Sequence, residues 1–212
     1  MQRRFFSHFF AALLGGLAFL SACPASATDE SPDAMIQRLS KDVLDSIRAD
    51  KSLQNGDLTK VIALVDKKIM PNVDFQRMTA SAVGPSWRQA TAEQRQRLQE
   101  EFKILLVRTY AGAINQVGDH TVATKPLRAA ADDREVLVRS EVKGRGDPIQ
   151  LDYRLVKTPG QGSGWKIYNL NVLGVWLVDT YRSQFAQEIA TKGLDGLIGT
   201  LAERNRSNAK KV

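Results

Sequence analysis

One cysteine and two histidines among 212 residues leave little from which to build a catalytic or metal site. Cys23 and His8 both fall within the first 27 residues, and His120 stands alone between Asp119 and Thr121. Beyond that opening stretch the chain has no thiol or disulfide chemistry, and no zinc site of ordinary composition can be assembled. A Ser-His-Asp arrangement lacks its Gly-x-Ser-x-Gly elbow. The glycines from Gly160 to Gly164 lack the lysine and following helix of a phosphate-binding loop. Two acid–base candidates survive. His120 lies at a helix-to-strand turn, where an ordinary surface histidine is the plain reading. Asp152 sits mid-strand with Arg154 two residues on, and reads as half of a surface ion pair.

Long apolar runs are equally scarce. The one present, Phe5 to Leu20, follows Arg3 and Arg4 and precedes Ala25-Ser26-Ala27. It is shorter than the roughly 20 residues of a membrane span and has the layout of an export signal with a small-x-small cleavage site. Two readings stand: cleavage after Ala27, with release into the periplasm, or acylation of Cys23 in the lipobox-like Leu20-Ser21-Ala22-Cys23. Setting residues 1–27 aside leaves 185 residues, with 28 basic and 23 acidic side chains and a net charge of +5. Export argues against nucleic acid as the partner of this charge. A solvated surface, an anionic membrane or an acidic partner remain. Without disulfides the domain must stand on its apolar core, which a chain of this length can supply.

The first half reads as helix. Ser31-Pro32 opens a segment with Ile36, Leu39, Val43 and Ile47 on one face. Asn55-Gly56-Asp57 is a turn, with Asp57 capping a second helix that carries Val61, Val65 and Ile69 and stops before Pro71. Asp74 caps a short third helix closed by Gly84-Pro85, and Trp87 follows as a core plug. Thr91-Ala92-Glu93-Gln94 is a capping box for the longest helix, with Leu98, Phe102, Leu105, Leu106 and Thr109 on one face, fading by Gly118.

From Thr121 the pattern becomes that of strands. Val136, Val138 and Val142 alternate with Leu137, Arg139 and Glu141, and Ile149, Leu151, Tyr153 and Leu155 alternate with Gln150, Asp152 and Arg154. Together with Thr121–Arg128 and Trp165–Val172 they predict an antiparallel meander of about four strands. In the last strand, strict alternation sets Trp165 and Ile167 on one side and Tyr168, Leu170 and Val172 on the other. Gly174 marks a change to a 3.6-residue period through Leu177, Val178, Tyr181, Phe185 and Ile189. A final short helix follows Gly193, and the polar segment 205–212 reads as a disordered tail. Helices, then an antiparallel sheet, then helices again give one α+β domain over 28–204. Any cavity should open where the last strand runs into the helix.

Several stretches in order resemble one family: Met70 to Phe75, Val83 to Arg95, Phe102 to Leu106 followed by Thr109-Tyr110, Trp165 to Phe185, and Lys192 to Leu197. They are similar to the periplasmic phospholipid-binding proteins of the MlaC or toluene-tolerance type. The resemblance implies a twisted sheet and helices of the nuclear-transport-factor or cystatin-like kind, with acyl chains buried between them. It implies a carrier, not an enzyme, with no cofactor and a phospholipid as ligand. The partners implied are an inner-membrane ABC transporter complex with a membrane-anchored substrate-binding subunit, and an outer-membrane lipoprotein-porin complex, in a system that maintains outer-membrane lipid asymmetry. Asn169, Trp176 and Thr180 depart from the frequent aspartate, serine and asparagine of that family, and Trp176 narrows the expected cavity mouth.

On strand alternation and helix phase, the expected cavity walls are Leu105, Val138, Val142, Leu151, Tyr153, Ile167, Leu170 and Val175, with Trp176 near the mouth. Arg88 and Arg95, before the long helix, are the expected contacts to partners, through polar and salt-sensitive interactions. Two other readings use the same scaffold: an isomerase or dehydratase built on Asp152 or His120, and an adaptor with a filled core.

Overall fold

A computed structural model describes residues 30–114, 119–130, 132–144 and 146–209. The expected export segment with Cys23 and Ala27, the expected end of the long helix near Gly118, and residues 210–212 lie outside these residues. Helix α1 (Pro32–Ala49) starts on its proline and buries Met35, Ile36, Leu39 and Ile47. After Asp50 come α2 (Lys51–Gln54) and α3 (Leu58–Leu64), the latter capped by the Asp57 carboxylate, which accepts from the amides of Thr59 and Lys60. The expected helix to Ile69 instead widens into a π turn over Val65–Ile69, then tightens into a 3-10 turn over Met70–Asn72. Pro71 has no amide to continue an α-helical ladder.

Asp74 caps α4 (Phe75–Val83), and Gly84, at φ 72°, ends it in a conformation that favours glycine. A 3-10 turn over Gly84–Arg88 follows. The capping box then forms with both reciprocal bonds, Thr91 amide to Gln94 Oε1 at 3.0 Å and Gln94 amide to Thr91 Oγ1 at 3.1 Å. It opens α5 (Ala92–Ile114).

The sheet has five antiparallel strands in sequence order: β1 (Thr121–Thr124), β2 (Glu135–Lys143), β3 (Ile149–Lys157), β4 (Trp165–Val172) and β5 (Val175–Trp176). The four expected strands are present, and the two-residue β5 adds an edge. β1 stops short of Arg128 because Pro126 cannot donate to a ladder. One correction to the register matters most. Arg154 stands opposite Asn169, yet Leu155 stands opposite Ile167, so Tyr168 is an extra residue bulged out of β4. Past the bulge the side-chain parity reverses. Leu170 and Val172 therefore share the helix-facing side with Trp165 and Ile167.

Helix α6 (Leu177–Ala209) bends at Gly193, which adopts φ 69° and ψ −173°. The helix continues to Ala209, and Asn205 is buried, its amide donating to the Glu101 carboxylate at 2.7 Å. Asp195 accepts from Gln94 at 2.9 Å, tying the second half of α6 to the start of α5. The start of α6 is fixed by Asn169. Its buried Oδ1 accepts from the amides of Leu170 at 2.9 Å and Val178 at 3.1 Å, joining strand and helix through one side chain.

The apolar interior forms three clusters. The first joins α4, α5 and α6 around Phe102, whose ring centroid lies 4.9 Å from Tyr181 and 5.2 Å from Phe185. The second sets Met35, Ile36 and Leu39 of α1 against Val136, Val138, Leu155, Trp165 and Ile167 of the sheet. The third closes α2 and α3 onto Ile47 and Val107. Replacing Asn169 with alanine leaves the Val178 amide without its acceptor and is expected to cost about 1–3 kcal/mol in urea unfolding. Asn169→Asp, which retains an acceptor there, is expected to keep most of that stability.

Candidate functional site

The three clusters meet only through side chains that keep accessible surface. Val43 packs against the second and third, and Val73 against the first and second. A filled domain interior is normally one contiguous cluster. The helices cover the two ends of the sheet, α1 on β1 and β2, and α4 and α6 on β4, while the middle strand β3 packs chiefly on its neighbouring strands. Over β3, the inward residues Leu151 and Tyr153 are only half-buried, as are Leu170 and Val172 beside them on β4.

Burial pushes the Tyr153 phenol pKa up, against opposing hydrogen bonds with Ser140 and Ser40. Leu170 and Val172 pack against the first cluster and Tyr153 against the second. This part of the inner face is apolar apart from the hydroxyl groups of Tyr153 and Ser140. Ser140 is fully buried and donates to the Leu151 carbonyl at 2.9 Å. Ser140 occupies an inward position in the alternation of β2, so the sequence pattern reaches it; the bulge that adds Val172 left no such signal.

Among the expected wall residues, Val138, Val142, Leu151, Tyr153, Ile167 and Leu170 lie on the helix-facing side of the sheet, and Leu105 is buried in the first cluster. Two do not join them. Val175 is 48% exposed at the sheet edge. Trp176 stands opposite Asn171, on the outer face, with the Arg154 guanidinium 4.0 Å from its ring centre. Arg154 also pairs with Asp179 at 3.7 Å. The ion pair expected between Asp152 and Arg154 is therefore absent, and Asp152 is buried, with Oδ2 accepting from Gln150 at 3.4 Å.

The two acid–base candidates do not converge. His120 packs against Gly144, whereas Asp152 stands opposite Arg139, five residues along β2. At about 3.3 Å per residue that separates them by roughly 16 Å.

The two arginines before α5 divide as well. Arg95 donates Nε to the Trp87 carbonyl and Nη2 to the Arg88 carbonyl, each at 3.2 Å, and lies 5.5 Å from the Trp87 ring centre. It clamps the 3-10 turn. Arg88 is exposed and makes no ion pair among the described residues.

Comparison with known proteins places this geometry. A family model described as MlaC protein matches residues 37–203. The toluene tolerance protein Ttg2D of Pseudomonas putida is 25% identical over 202 residues, covering 91% of this chain and 92% of the relative. The intermembrane phospholipid transport system binding protein MlaC of Haemophilus influenzae is 24% identical over 184 residues, 85% of each chain. A solved structure of a phospholipid-binding protein from Ralstonia solanacearum, in complex with a phospholipid, superposes with a TM-score of 0.80. It is 49% identical and covers 84% of this chain and 98% of its own.

A tryptophan in place of Leu151 distinguishes a hollow from a filled core. Overpacking a filled core costs about 1–3 kcal/mol. Because Leu151 is only partly buried on the inner face, Leu151→Trp is expected to fold with its urea midpoint and slope within error of the parent.

Proposed function

From its membership of the MlaC family, which the match over residues 37–203 shows, we propose that this chain is a periplasmic phospholipid carrier. It takes up acyl chains in a hollow between sheet and helices and passes the lipid between membrane-bound transport complexes. The observation that supports the reading is that Leu151, Tyr153, Leu170 and Val172, on the inner face of β3 and β4, stay only partly buried between separate core clusters.

The energetics set what such a site must do. Each methylene removed from water contributes about 0.8 kcal/mol, so two chains of about 15 methylenes lose roughly 20–25 kcal/mol on entering water. A carrier must replace nearly all of this with apolar walls. The headgroup can remain hydrated. Transport then needs no catalytic residue in this chain, and its direction comes from the partners: an ABC transporter complex in the inner membrane and a lipoprotein-porin complex in the outer membrane. Arg88, not Arg95, has a side chain open to such contacts.

Protein purified without detergent is expected to carry phospholipid, detected by extraction and mass spectrometry, and to move labelled phospholipid between vesicles. Leu151→Trp, folded but with the floor filled, should carry several-fold less. Parent protein free of lipid and inactive in transfer would refute the carrier reading. Undiminished lipid in the folded tryptophan variant would remove Leu151 from the site.

A further inference from the structure

Outside the hollow, a groove of about 360 Å³ opens between α4, the 3-10 turn Gly84–Arg88 and the first half of α6. Arg77, Arg88 and Arg182 line it together with Trp87, and none of its lining residues is acidic. The three guanidinium groups are differently committed. Arg77 is paired with Glu135 at 2.7 Å and lies 3.7 Å from the centre of the Tyr168 ring. Arg182 donates Nε to the Ser81 carbonyl at 2.8 Å, which fixes the side chain and leaves its terminal nitrogens to other acceptors. Arg88 makes no ion pair among the described residues.

The groove is open at its base, since a Cβ built on Gly84 meets nothing within 4 Å. Two uncompensated guanidinium groups, brought from different elements to one concave and partly apolar surface, repel each other unless an anion joins them. The planar guanidinium fork fits a phosphate with paired hydrogen bonds. Trp87, partly buried against the first cluster, gives the groove an apolar wall beside the arginines.

We infer that this groove seats the phosphate of an anionic phospholipid at a bilayer surface, docking the protein on the membrane during transfer. The choice of phosphate over carboxylate rests on the carrier reading, because a phospholipid carrier meets phosphate wherever it loads or unloads. The groove is separate from the hollow, so docking and cargo binding can be separated by mutation.

The test is co-sedimentation of the full mature protein with phosphatidylcholine vesicles, with and without phosphatidylglycerol as a minor component. The parent is expected to bind the vesicles containing phosphatidylglycerol. Arg88→Gln with Arg182→Gln should weaken that binding about fivefold for each arginine removed. The double variant should retain its circular dichroism melt and its copurified lipid. Lys60→Gln with Lys67→Gln removes two exposed charges from another surface and should leave binding within twofold of the parent. Equal losses in the two double variants would overturn the groove, leaving only diffuse attraction, and so would failure of the parent to bind. Parent protein without copurified lipid would instead refute the carrier reading, whatever the vesicle result.

Discussion

The inner face of the sheet depends on the single extra residue at Tyr168. Strand side chains alternate with a period of two, so one inserted residue turns everything after it to the opposite side. Without the bulge, Leu170 and Val172 would point to the outer face, and Asn169 and Asn171 would enter the apolar interior. With it, apolar side chains run the length of β4 on the helix side. The bulged tyrosine is held outside by the Arg77 guanidinium over its ring and by its hydroxyl, which donates to Glu135 at 2.7 Å. Asn169, freed from the interior, becomes the cap that sets the start of α6.

Helix α1 meets the sheet at β1 and β2, and α4 and α6 meet it at β4. These contacts lie far enough apart that β3 between them keeps accessible surface. The aromatic contacts of Phe102 with Tyr181 and Phe185 hold α5 and α6 together. Leu155, at the other end of β3 from Leu151, is fully buried against α1, so only part of the middle strand keeps accessible surface.

Local chemistry was legible wherever a side chain acts on its own backbone. The Thr91–Gln94 box, the Asp57 and Asp74 caps, and the break at Gly193 all follow from residues next to one another in the chain. The inward face of β2 was equally readable, because its alternation is unbroken. The facing of β4 past Ile167 was misread, although Leu170 was among the expected walls, since a bulge is decided by pairing with β3 and leaves no mark on the alternation of β4 itself. Trp176 was misplaced for a related reason. Its position follows from two residues of β5 pairing with Asn171 and Val172, and so short a strand carries no period. Arg95 and Arg88 look alike in sequence. Only the carbonyl groups of Trp87 and Arg88, brought within reach by the 3-10 turn, separate a clamp from an open charge.

A core divided into three has a thermodynamic side. Apolar surface that a compact domain would bury against itself is left, on the carrier reading, for acyl chains to cover, which makes the cargo a component of the folded core. Stability then belongs to the loaded complex and rises with the logarithm of lipid activity. On that reading the empty protein is the least stable form. Delivering the cargo and loosening the fold become one event. In a compartment patrolled by proteases, the time between unloading and reloading would set how long each molecule survives.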